Sequence, residues 1–264
     1  MRAVARVSLL DAVRRLCPEA DERELVGWIL RGSVLVNERR VTSPKALIPA
    51  SDTLRVTEGR RYASRGGDKL AAALEAWNVD VTGRVLIDAG SSTGGFTDCL
   101  LRRGASRVYC VDVGYSLLDF ELRRNPATTV MERTNVMHLC AGDLDPQPDA
   151  AVCDLSFRSL RGAARHLLDL VDPGWVIALV KPQFERLRDS GSLAFRGVVE
   201  SAAERRAILV KLFADLAGEG VHAARVLRSP VRGRRGNTEY LAYFGAVAGD
   251  RETLERDLEV ALAE

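Results

Sequence analysis

Apolar residues recur at Leu9, Leu10, Val13 and Leu16, with Asp11, Arg14 and Arg15 between them. That spacing predicts a first helix, which stops at Cys17-Pro18. Asp21 stands where it can cap a second helix whose stripe is Leu25, Trp28 and Ile29 and whose end is marked by Gly32. The period then changes from helical to alternating. Ser33 to Val41, turning at Asn37, predicts two short strands, and Leu47, Ile48, Leu54 and Val56 predict a further β pair.

After the polar stretch Glu58-Gly59-Arg60-Arg61-Tyr62, a helix carries Leu70, Leu74 and Trp77 on one side. From Arg84 onward, apolar runs at 84–88, 107–113, 127–132, 149–154, 174–180, 221–228 and 238–244 alternate with helical patterns near 95–104, 116–124, 158–171 and 200–218. Strands buried on both faces read as continuous apolar runs, so this alternation predicts a parallel sheet covered by helices. The last strand follows its predecessor by a hairpin-length loop and is expected to run antiparallel. A helix with Leu254, Leu258 and Leu262 closes the chain. The expected organisation is a small α+β domain over 1–58, a linker over 59–64 and an α/β domain over 65–264.

A 47% hydrophobic content over 264 residues suffices for one sizeable core and a small second one. The net charge is only +2, but residues 1–60 hold 11 Lys/Arg against 8 Asp/Glu, and further Arg cluster at 228–235. Such local excess fits an anionic partner. Five scattered cysteines without C-x-x-C and three separated histidines argue for a reduced protein with no metal site. No signal-type start or membrane-length apolar run is present, so a cytoplasmic location is expected.

The most informative stretch is Val85-Leu86-Ile87-Asp88-Ala89-Gly90-Ser91-Ser92-Thr93-Gly94-Gly95-Phe96, an apolar strand ending in an acid and passing through small residues into a helix. A dinucleotide fingerprint is absent, because Gly90 is followed by Ser91-Ser92. Gly90 to Gly94 does match the G-x-S-x-G hydrolase elbow, with Ser92 as nucleophile. That reading needs a histidine at the same sheet edge, and His222 begins its strand at the opposite one. A doubly wound sheet with a reversed final hairpin is instead similar to S-adenosylmethionine-dependent methyltransferases. The resemblance implies that Asp88, Gly90, Ser91, Ser92, Thr93, Gly94, Gly95 and Phe96 form the cofactor loop, that Asp112 accepts the ribose hydroxyls and that Asn135 fixes the adenine, with Asp154 close by.

Lys69, Asp154, Lys181 and Glu239 fall at the start of a helix and at strand tips of one edge. They resemble the Lys-Asp-Lys-Glu tetrad of FtsJ-like ribose 2′-O-methyltransferases. Taken with Ser64-Arg65-Gly66-Gly67, Asp112-Val113-Gly114, Glu132-Arg133-Thr134-Asn135, Asp154-Leu155-Ser156-Phe157, Lys181-Pro182-Gln183-Phe184-Glu185 and Gly236-Asn237, the chain resembles the TlyA (hemolysin A) family of ribosomal RNA 2′-O-methyltransferases over nearly its whole length. Leu117, Met137, Arg158 and the segment Arg186 to Arg196 depart from that pattern. The first domain, through Arg31-Gly32-Ser33-Val34-Leu35-Val36-Asn37 and Asp52 to Val56, resembles the S4 RNA-binding domain.

The resemblance implies a seven-stranded Rossmann-like methyltransferase sheet and methyl transfer from S-adenosylmethionine to a cytidine 2′-hydroxyl of 16S or 23S rRNA within ribosomal subunits. Lys181 would orient or deprotonate the hydroxyl, and Asp154 and Glu239 would orient the two lysines. Arg14, Arg15, Arg31, Arg39, Arg40, Arg61 and Arg65 would grip the RNA backbone. The competing class is a ribosome-binding assembly factor or a haemolysin without methyltransferase activity.

Overall fold

The computed structural model describes residues 6–30, 32–56, 62–156, 159–171, 173–190, 197–233 and 235–263, with the backbone only over 187–190. Arg31, Arg61, Phe157, Arg158 and the first half of the expected linker lie outside them. The chain folds as two units, Met1–Ala63 and Ser64–Glu264.

In the first unit, β1 (Arg6–Ser8) leads into α1 (Leu9–Leu16), followed by α2 (Glu22–Leu30), β2 (Val34–Val36), β3 (Arg39–Arg40), β4 (Leu47–Pro49) and β5 (Leu54–Val56). Ser8 caps α1 by accepting from Asp11 N at 3.1 Å. Asp21 and Glu24 cap α2 reciprocally, each side chain accepting from the other's backbone N–H. Leu9, Val13, Leu25, Ile29 and Val34 are fully buried between helices and strands. The expected β pair of 47–48 with 54–56 does not form. Leu47–Pro49 pairs antiparallel with Arg6–Ser8, while Leu54–Val56 joins β2 beside β3. The reason is the sequence start: Arg6-Val7-Ser8 is too short to signal a strand on its own but supplies the partner β4 takes.

The second unit runs α3 (Arg65–Ala76), β6 (Val85–Ala89), α4 (Gly95–Arg102), β7 (Arg107–Asp112), α5 (Phe120–Arg124), β8 (Thr128–Glu132), β9 (Ala150–Cys153), α6 (Ala163–Leu170), β10 (Trp175–Val180), α7 (Pro182–Ser190), α8 (Ala202–Gly218), β11 (His222–Arg228), β12 (Tyr240–Gly245) and α9 (Arg251–Leu262). Its seven strands lie in the order β11-β12-β10-β9-β6-β7-β8. β12 is antiparallel to both neighbours, and the other pairings are parallel, as the hairpin-length loop led us to expect. Alternate strand residues such as Ile87, Ala151 and Val176 join Leu167, Leu209, Leu212 and Leu258 in one core cluster against α6, α8 and α9. The residues between them, Leu86, Val108, Val152 and Ile177, are fully buried as well. Burial on both faces is why these strands carry no alternation.

The helix α7 was not foreseen. Its signal was Pro182, which occupies the first helical position, where a missing N–H costs nothing.

Candidate active site

Asp88, the last residue but one of β6, is fully buried. Its Oδ2 accepts from Thr97 N at 2.9 Å and from Thr97 Oγ1 at 2.6 Å, tying the strand tip to the first turn of α4. Its Oδ1 is buried without a hydrogen-bond partner. Burial, assisted by the charges of Asp154 and Asp112 and opposed by the Thr97 hydrogen bonds, pushes the carboxyl up to about 7. Thr97 is a site residue that sequence reasoning passed over, and an acid near the end of β6 opposite a hydroxyl in the next helix was the available clue.

Gly90 has φ +84°, and a Cβ there would stand 2.7 Å from the Asp154 carbonyl oxygen. The position demands glycine both for its backbone and for the closeness of the β9 tip. Ser91 is buried, whereas Ser92 and Thr93 are exposed on the outer side of the turn. Gly95 opens α4 against the N-terminus of α3, with a Cβ built there only 3.0 Å from Gly67 N and overlapping Ser64 Oγ. The glycines of Ser64-Arg65-Gly66-Gly67 therefore let two helix starts touch, and Ser64, expected in the linker, caps α3 by accepting from Gly66 N. Phe96 is buried beside this contact.

Asp112 ends β7, one strand over. Its Oδ2 accepts from Ser92 N at 2.8 Å and its Oδ1 from Gly114 N at 2.7 Å, so it holds both the β6 loop and its own. Carboxylate oxygens have further acceptor capacity, which leaves Asp112 able to take hydroxyls. Asn135 caps a short 3₁₀ turn through Met137 N and is half-buried.

Two ion pairs complete the edge. Lys69 Nζ donates to Glu239 Oε2 at 2.5 Å, and both side chains are buried. Lys181 Nζ stands 2.6 Å from Asp154 Oδ1, off the hydrogen-bonding directions, and donates to Leu155 O and Ser156 Oγ, each at 3.1 Å. Leu155 and Ser156 stand in the Asp154–Phe157 motif, but the sequence assigned them no role. Register joins the pairs: Val180 lies opposite Tyr240 in the β10–β12 ladder, so Lys181 and Glu239 follow and precede paired residues at one edge. Behind them, Glu185 accepts from Ser159 Oγ at 2.6 Å, Leu160 N at 2.9 Å and Arg161 Nη1 at 3.0 Å. This buried carboxylate fastens the segment after Asp154 to the helix after Lys181.

The late histidine that the hydrolase reading called for, His222, begins β11 at the opposite edge, and His166 Nε2 is held near Val136 O. Among the described residues no group of His, Cys, Asp or Glu could hold a metal, and no helix is long and apolar enough to cross a membrane. Of the arginines expected to meet RNA, Arg15, Arg39, Arg40 and Arg65 are exposed, whereas Arg14 is paired with Asp11 and Glu22.

Comparison with known proteins places this arrangement. Residues 62–246 match the FtsJ-like methyltransferase family. The chain is 37% identical to the 16S/23S rRNA (cytidine-2′-O)-methyltransferase TlyA of Mycobacterium tuberculosis, covering 98% of this chain and 97% of that one. It is 34% identical to Hemolysin A of Brachyspira hyodysenteriae over 82% of this chain and 90% of the relative. A solved structure from Streptococcus thermophilus that carries a hemolysin name superposes with a TM-score of 0.72 at 31% identity, covering 98% of this chain and 96% of that one.

Proposed function

The chain belongs to the FtsJ-like methyltransferases and, within them, to the TlyA (hemolysin A) family, and on that premise we propose that it methylates a cytidine ribose 2′-hydroxyl of 16S or 23S rRNA within ribosomal subunits, using S-adenosylmethionine. The observation that carries this reading is the convergence of Lys69–Glu239 and Lys181–Asp154 at the edge where Asp88 and Asp112 close a glycine turn.

The residues present fit the cofactor. A carboxyl that is buried, with one oxygen lacking a donor, suits a cationic amino group, and Asp88 Oδ1 is such an atom. Asp112 would take the ribose hydroxyls, and the closeness of Gly90 to Asp154 leaves the turn free of side-chain bulk. When bound, S-adenosylmethionine would supply an activated methyl group on its sulfonium, with the neutral thioether as the leaving group.

What remains for the protein is positioning and the proton. Lys181 Nζ, fixed by Leu155 O, Ser156 Oγ and Asp154, is the atom that meets the 2′-hydroxyl, and the proton leaves into the Lys181–Asp154 pair. Lys69, locked by Glu239, lines the acceptor side as a fixed positive charge. The first unit, read as S4-like, and Arg65 would hold the surrounding RNA by its phosphates. The target nucleotide leaves its stack to reach the edge.

The test is transfer of labelled methyl from S-adenosylmethionine to isolated subunits, followed by mapping of the modified nucleotide. Lys181→Ala is expected to lose about 10²- to 10⁴-fold in rate, the ordinary worth of a positioned acid–base group, with cofactor binding retained by calorimetry. A variant that methylates at the wild-type rate overturns the assignment.

A further inference from the structure

The arginine cluster at 228–235 is not used by the site described above. Two of its members, Arg228 and Arg232, together with Arg205, line a concavity of about 490 Å³ that Gly236 and Thr238 also line. Thr238 directly precedes Glu239, and Gly233 in the same loop lies so close to the Glu239 carboxylate that a Cβ there would overlap it. The concavity therefore opens beside the Lys69–Glu239 pair.

Its walls are built rather than incidental. Arg205 is buried and donates to Tyr240 Oη at 3.0 Å and to the carbonyls of Val199 and Glu200 at 3.2 and 2.6 Å. Asn237 accepts from Val199 N and donates to Gly197 O, strapping the 197–200 segment along the last hairpin. Arg228 donates one guanidinium nitrogen, Nη1, to Ala263 O at 3.0 Å, and Arg232 is exposed with a long 3.5 Å contact to Gly236 O. The lining holds one acidic residue, Glu200, against three arginines.

We propose that this concavity is a phosphate subsite that takes the RNA backbone flanking the acceptor ribose. The proposal rests on the 2′-O-methylation reading and adds a site to it. A 2′-hydroxyl sits on the carbon next to the one bearing the 3′-phosphodiester, so a ribose presented at Lys181 necessarily brings a phosphate into its neighbourhood. Arginine forks match phosphate oxygens, and a concave surface with positive walls concentrates the field that attracts them. A phosphate contact of this kind sets register without reading sequence.

The experiment measures steady-state methylation of isolated ribosomal subunits over a range of salt, comparing wild type with Arg232→Ala and the charge reversal Arg232→Glu. The side chain is exposed, so both variants fold, which thermal melting verifies. The expected result is a KM for subunits raised by roughly five- to tenfold, more for Glu than for Ala, with kcat within about twofold. The slope of log affinity against log salt falls by roughly 0.7–0.9, the share of one lost phosphate contact. Cofactor affinity by calorimetry stays at the wild-type value. An active wild type whose Arg232 variants keep its KM and salt slope overturns the subsite alone. A wild type that transfers no methyl overturns the methylation reading and the subsite with it.

Discussion

Replacing Asp88 by Asn should remove a pH dependence that the wild-type fold carries. The carboxyl, ordinarily near 3.8, is held at about 7 by burial, with the Asp154 and Asp112 charges adding to the effect. Between those values the unfolded chain has lost the proton while the folded one keeps it. The folded state thus binds more protons, and stability falls as pH rises. At full ionisation the displacement corresponds to about 4 kcal/mol, of which roughly 3 kcal/mol falls between pH 5 and pH 8. Asn keeps an oxygen for Thr97 N and Oγ1 but places an amide where Oδ1 was, a cost of about 1–3 kcal/mol that does not change with pH. The assay is urea unfolding of cofactor-free protein at pH 5, 6, 7 and 8, in a Trp28→Phe background so that only Trp77 and Trp175 of the second unit report. The stability difference should move in favour of Asp88→Asn by roughly 3 kcal/mol across that range, while cofactor affinity is lost. Parallel wild-type and variant curves would refute the reasoning, because they would mean that Asp88 ionises in the fold as it does in water.

Gly90→Ala combines a positive φ with a Cβ 2.7 Å from the Asp154 carbonyl, so calorimetry should find cofactor binding abolished in a protein whose circular dichroism is unchanged. Glu185→Ala leaves Arg161 buried with Asp215 as a remaining partner, and unfolding should show a loss of about 3 kcal/mol, at the low end for a broken buried pair. In a cycle over Lys69→Met and Glu239→Leu, each single change should destabilise more than the double, with methyl transfer lost in all three; additive single effects would deny the buried pair. Ellman's reagent should react first with exposed Cys140, and slowly with Cys110 and Cys153, whose thiols burial pushes up to about 12.

The sheet of the second unit was legible because its strands are buried on both faces and so stand out as unbroken apolar runs between amphipathic helices. The reversed β12 was legible from loop length alone. What escaped was held by partners distant in sequence. β1 is three residues that become a strand only because Leu47–Pro49 pairs with them, and α7 announces itself only by a proline that reads equally as a turn. At the site, the charged residues at strand tips could be picked out singly, since lysine is costly to bury without a partner. Their pairing could not. Which acid meets which lysine is set by the register of β10 with β9 and β12 and by the way α3 lies against α4, and none of these is written in any local window. The serine of the Gly90–Gly94 turn shows the converse: a motif match whose meaning changes once acids and lysines are gathered at its edge and His222 begins its strand at the opposite one.

The Lys69–Glu239 bond joins residues 170 positions apart, the first on the opening helix of the second unit and the second on its last hairpin. During synthesis the lysine emerges early and waits for nearly the whole unit before its carboxylate arrives. A chain halted before that hairpin lacks the Glu239 carboxylate that meets the ammonium buried on α3. The pair at this edge is therefore complete only once the last hairpin has been made.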